Sequence, residues 1–201
     1  MRPDLTWVTS LRSWIYIFIS LTLGLGSGIF SAYYVIRQGV RYPEFTIGPW
    51  QSFRETDINE ENPYALAHTA GYGNLKLATF EALYFIARKD DKNRILSGNC
   101  EYVIKGKFAD ARWWSITIYN QRGRLIDNPA DRYSFNNTNL LPGKEAGYRI
   151  VLAANARAGN WIPLNADQTF IIMLRLYVPG ISSIRDANEI AFPEIERVEC
   201  S

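Results

Sequence analysis

Between Arg12 and Arg37 no charged residue occurs for 24 positions, and residues 13–36 read SWIYIFISLTLGLGSGIFSAYYVI. As a helix rising about 1.5 Å per residue, this run is roughly 36 Å long, enough to cross a ~30 Å hydrocarbon core with some tilt. Trp14 and Tyr16 stand near one end and Tyr33 and Tyr34 near the other, in the positions of an interfacial aromatic belt. A cleaved signal peptide has a shorter apolar region and an A-x-A-like site. The pattern here predicts a membrane anchor that is retained. Ser20, Gly24, Gly28 and Ala32 recur every four residues on one stripe of the helix. Small residues in that register let a second helix approach closely in lipid, which makes the stripe a candidate contact for a membrane-protein partner; the other reading is that Gly and Ser are simply common in membrane helices.

After the anchor, residues 37–61 are polar and broken by Pro43, Gly48 and Pro49, and read as a linker. Asn62-Pro63 is an N-cap followed by proline at the first helical position, which predicts a short helix to about Ala70, ended by Gly71 and Gly73. Beyond it the period changes from helical to two-fold. Phe80–Arg88 is apolar and aromatic, Asp90-Asp91-Lys92-Asn93 is a turn, and Glu101–Lys105 alternates. WWSITIY at 113–119 is the clearest strand, with Trp114, Ile116 and Ile118 on one face and Trp113, Ser115, Thr117 and Tyr119 on the other. Tyr148–Ala153 and Phe170–Val178 follow the same rule, the latter placing Arg175 and Tyr177 opposite Leu174 and Leu176. Short strands punctuated by Gly, Pro and Asn predict a mainly β domain over residues 62–201, a jelly-roll-like β-sandwich with one short helix. Ahead of it lie a tail (1–12), the transmembrane helix (13–36) and the linker (37–61).

Charge sharpens this division. The 201 residues carry a net charge of +2, but the first 41 hold four Arg against one Asp, so the remainder is slightly acidic. Nucleic-acid binding normally leaves a strongly basic footprint, and none is present here. The flanking charges come close to a tie on orientation, leaning slightly toward a cytoplasmic domain. The cysteines argue the other way. Cys100 and Cys200 are the only two, and an even pair in an exported domain reads as one disulfide, whereas in a cytosolic domain it would be two buried thiols.

The catalytic vocabulary is thin. His68 is the sole histidine and falls on the predicted short helix. There is no G-x-S-x-G elbow, no P-loop, and no G-x-G-x-x-G opening a helix after a strand, so no catalytic residue, metal or cofactor is expected. Asp90 and Asp91, or Glu60 and Glu61, are adjacent acids of the kind usually solvated at turns and linkers. The informative residues are aromatic and cationic: Arg112, Trp114, Trp161, Arg175 and Tyr177. An arginine within an apolar strand must pair or line a cavity. The functional reading is a Trp-walled pocket in which Arg orients an anionic or sugar-like ligand. The structural reading is an arginine tied to Asp127 or Glu101 inside an aromatic core.

ARWWSITIY (111–119), NPADRYS (128–134), GNWIPL (159–164) and FIIMLRLYVP (170–179) resemble the family known as domain of unknown function 1214 over roughly residues 80–200. IGPW (47–50), NPYALAHTAGYGNL (62–75), FEALYFIA (80–87) and CEYVIKG (100–106) are similar to a subgroup of small single-pass alphaproteobacterial envelope proteins. The resemblance implies a jelly-roll-like domain in the periplasm behind an N-terminal anchor, with cysteines near the positions of Cys100 and Cys200. Longer relatives pair this domain with a second one that is absent from these residues.

The sequence therefore leads to an inner-membrane, single-pass protein whose periplasmic domain is a binding or structural module of the envelope. Two alternatives stand beside it. One is a carbohydrate- or lipid-active enzyme, and the other is an accessory subunit of an inner-membrane complex.

Overall fold

The computed structural model describes residues 11–38, 44–53, 77, 80–107, 110–141, 147–180 and 190–200. The anchor forms one helix, α1 (Leu11–Gln38), two residues longer at each end than the apolar run. Within it, Arg12–Ile36 is apolar and long enough to span a membrane, and none of that stretch is buried. Its hydroxyls fold back onto the helix: Ser27 and Ser31 donate to the carbonyls of Gly24 and Gly28 at 3.2 and 2.9 Å. Polar side chains satisfied in this way can sit in hydrocarbon.

The remaining described elements are strands, in two sheets. One has the order β1 (Glu44–Ile47), β2 (Trp50–Phe53), β3 (Ala82–Ala87), β9 (Phe170–Pro179), β5 (Ala111–Asn120), β6 (Ser134–Asn136). The other runs β10 (Glu194–Cys200), β4 (Cys100–Lys107), β7 (Gly147–Ala153), β8 (Asn160–Pro163). The chain passes repeatedly from one sheet to the other, and the fold is mainly β, as the alternation predicts. The core lies between the sheets. Trp114 of β5 stacks on Tyr148 of β7 at 4.8 Å, and Tyr102 of β4 meets Phe170 of β9 edge-on at 5.5 Å. These rings join the layers with a large apolar area in a favoured geometry.

Part of the expected linker belongs to the sheet. Gly48 and Pro49, read from sequence as breakers, are the turn of a hairpin, with Gly48 at φ 54 in the left-handed region where glycine is favoured. Trp50 is buried in the core, and its Nε1 donates to the carbonyl of Pro193 at 2.8 Å. The helix expected over 62–70, with His68, lies outside the described residues.

The turn at 90–93 also differs from expectation. Asp90 is only 1% exposed. Its Oδ1 accepts from the backbone N–H groups of Lys92 and Arg94 at 3.0 and 2.9 Å, and its Oδ2 from Arg94 Nε at 2.8 Å. Burial alone would push this carboxyl up. The Arg94 bonds and charge, with Arg197, outweigh that and hold it below the ordinary carboxylate value. Beside it, Asp91 exchanges bonds with Ile195 and so covers the edge of β10.

Two of the segments quoted for the resemblance, NPADRYS and GNWIPL, are also fold devices. Asn128 Oδ1 accepts from Ala130 and Arg132 while its Nδ2 donates to the carbonyls of Ile126 and Arg132, closing the turn in which Asp131 takes φ 48. Asn160 is buried, donates to the carbonyls of Leu141 and Arg149 at 2.7 and 3.0 Å, and accepts from Leu141 N at 2.8 Å.

Candidate functional site

Strand pairing assembles an aromatic and cationic face on the side of the six-stranded sheet turned away from the core. The register sets Tyr84 and Ser115 on either side of Arg175, and Ala82 and Trp113 on either side of Tyr177. Arg175 Nη1 donates to the Tyr119 hydroxyl at 2.9 Å, and its guanidinium lies 5.3 Å from that ring's centre. Tyr177 meets Trp113 at 5.3 Å and Tyr84 at 6.3 Å, both edge-on. All five side chains are half-buried. Burial, followed by the charge of Tyr177 and its hydrogen bond, pushes the Tyr84 phenol up to about 12, with Arg175 pulling the other way. Farther along the same face Ile86, Ile171 and Met173 form a second buried apolar cluster with Tyr119 against it.

The backbone is strained beside this face. Val178, exposed and β-branched, has φ 48, a conformation such residues rarely adopt. Strain of this kind costs about 1–3 kcal/mol and tends to collect at functional sites. Val178 N–H donates to the carbonyl of Glu81 at 2.8 Å, tying the end of β9 to the start of β3.

The five residues singled out in the sequence do not converge. Arg175 and Tyr177 share the face just described. Trp114 points into the core and is 1% exposed, because neighbours along a strand face opposite ways and Trp113 holds the outer side. Trp161 stands on β8 of the other sheet. Its Nε1 donates to the carbonyl of Ala153 at 3.0 Å and its own carbonyl accepts from Arg132 at 3.1 Å. Arg112 is exposed at the start of β5, its carbonyl accepting from Asn137 Nδ2 at 3.3 Å. Glu101, one carboxylate suggested for Arg175, is paired instead with Arg157 at 2.6 Å in the four-stranded sheet. Tyr84, Trp113 and Tyr119 are the members that sequence reasoning missed. The alternation of WWSITIY had already put Trp113 and Tyr119 together, and pairing with β9 was the missing step.

Apart from that face, a cleft of about 290 Å³ opens beside the disulfide and is lined in part by Asn99, Glu101, Asn155, Arg157 and both cysteines. Cys100 and Cys200 are bonded and stand directly opposite each other on β4 and β10, with Cα atoms 3.9 Å apart.

A helix of membrane-spanning length and a disulfide-linked two-sheet β domain define the class: a β-rich protein with, among the described residues, one candidate transmembrane helix. The chain belongs to the family described as protein of unknown function DUF1214, which matches residues 81–181, from the start of β3 past the end of β9. No curated protein matches it. Among solved structures it is similar to the VPA0106 protein from Vibrio parahaemolyticus, at 26% identity and a TM-score of 0.57 over 68% of this chain. An uncharacterized protein from Burkholderia cenocepacia matches at 21% identity and a TM-score of 0.42 over 90% of this chain. The chain covers 35% and 43% of the lengths of those two proteins.

Proposed function

We propose that this protein is a single-pass inner-membrane protein whose β domain lies in the periplasm and serves as a binding module of the cell envelope. One observation carries the reading: the chain that holds a membrane-length helix also holds a disulfide. Such bonds persist in oxidising compartments and are rare in the cytosol. The outer face of β3, β9 and β5 supports binding. Trp113, Tyr177 and Tyr84 offer aromatic surface, and Arg175 a cation, to a sugar-like or anionic ligand, with no cofactor required.

The test is fractionation with thiol labelling in intact cells. The chain is expected in the carbonate-washed membrane pellet, with Cys100 and Cys200 alkylated only after reduction. Alkylation of both before reduction throughout the population, with no disulfide-bonded fraction, refutes the periplasmic assignment. For the face itself, intrinsic fluorescence against a panel of saccharides and lipid headgroups is expected to show a saturable change that Arg175→Gln weakens at least tenfold for an anionic ligand. No response in the panel, or one that Trp113→Phe and Arg175→Gln both leave unchanged, refutes the site.

A second reading, an accessory subunit of an inner-membrane complex, is favoured by the helix. At Gly24 and Gly28 an added Cβ would meet nothing within 4 Å, so the stripe with Ser20 and Ala32 is open to a neighbouring helix. Co-purification of a membrane protein that Gly24→Leu and Gly28→Leu abolish would support this reading. Partners retained by both variants would refute it.

A further inference from the structure

We propose that the Cys100–Cys200 disulfide is a thiol-exchange site, and that a dithiol acting on it releases the end of β10 and widens the adjoining cleft. Cys200 is exposed, whereas Cys100 is 7% exposed, so a thiolate reaches the bond from the Cys200 side. Attack on Cys200 Sγ forms a mixed disulfide and breaks the bond to Cys100 Sγ, which leaves as a thiolate and takes up a proton. The second thiol of the reductant then attacks its own sulfur in the mixed disulfide. Cys200 departs as a thiol, and the reductant, having given two electrons, departs as a disulfide.

Three features confine the change to the strand end. The β10–β4 ladder is interrupted between Arg197 and Glu199, and beyond that point the register holds only Glu199 opposite Glu101 and Cys200 opposite Cys100. Like charges directly across an antiparallel pair repel. Here Arg157 stands between them, 2.6 Å from Glu101 and 3.9 Å from Glu199. Arg157 offsets that repulsion, so beyond the interruption the strand end is held by this bridge and the disulfide staple. Before the interruption, Glu194–Arg197 keep four register partners on β4, with Asp91 bonded to Ile195 and Asp90 3.3 Å from Arg197. Cys200, Glu199, Glu101 and Arg157 all line the cleft of about 290 Å³, so freeing the strand end enlarges it.

The test is peptide-level hydrogen exchange on the full chain in detergent micelles, oxidised and after dithiothreitol without denaturant. Exchange across residues 198–200 and their partners at 99–101 is expected to quicken about tenfold or more, with residues 194–197 and β7 unchanged. The Cys100→Ser, Cys200→Ser double variant is expected to match the reduced state. Arg157→Gln, oxidised, is expected to keep the strand end protected. A bond that dithiothreitol leaves intact, exchange that does not change on reduction, or protection lost through β4, β7 and β10 together would each overturn the proposal. So would an end that opens in oxidised Arg157→Gln.

Discussion

Asn160→Ala tests whether GNWIPL is a fold device. The side chain is 6% exposed and makes three hydrogen bonds, two with the backbone of Leu141 and one with the carbonyl of Arg149. Together they pin the strand pair β7–β8 to the approach from β6. A net contribution near 1 kcal/mol per bond puts the loss at ~3 kcal/mol, because alanine leaves backbone groups without their partners. For a domain of this size the melting temperature is expected to fall by roughly 6–12 °C. Thermal and guanidinium unfolding of the full chain in micelles, followed by near-UV circular dichroism, reads this directly. A variant within ~0.5 kcal/mol of the parent, well below the cost of three lost bonds, would refute the reasoning.

Other outcomes follow from the same structure. Trp114→Ala, at the centre of the core, is expected to cost about 3–5 kcal/mol in the same unfolding experiment, while Trp113→Ala, on the outer face, costs clearly less. Asp90 has its pKa lowered by folding, so its stabilisation is present above the unfolded value near ~3.9 and is lost as pH falls through the folded one. Asp90→Asn is accordingly expected to be about 2 kcal/mol less stable at pH 7 and to show a flatter acid limb below about pH 4 in guanidinium titrations. Tyr84 has its pKa raised to about 12, so the folded state loses stability as pH rises from the unfolded value near ~10 toward that value. Tyr84→Phe is expected to remove one late step from the 295 nm tyrosinate titration and to lessen that alkaline loss.

Period and punctuation made much of this fold legible. The uncharged run before Arg37 set the helix to within two residues at each end, and the alternation in WWSITIY and FIIMLRLYVP gave the faces of β5 and β9. Elsewhere the local signals are degenerate. Gly48-Pro49 reads equally as a linker or as a hairpin turn, and only the burial of Trp50 in a distant core decides between them. Asp90 resembles a solvated turn acid until the guanidinium groups of Arg94 and Arg197 are set beside it, the second from 107 residues away. Residue type groups Trp114 and Trp161 with Arg175, but strand alternation and sheet assignment separate them. Which strands become neighbours depends on contacts across the whole chain, so Tyr84 and Arg175 could not be paired from either segment alone.

The proposed topology has one membrane span, with the β domain outside the cytoplasm. Reporter fusions after Ser201, one to alkaline phosphatase and one to green fluorescent protein, test it most directly. An active phosphatase and a dark fluorescent protein are expected, both dependent on residues 13–36. A fluorescent fusion with an inactive phosphatase would contradict it.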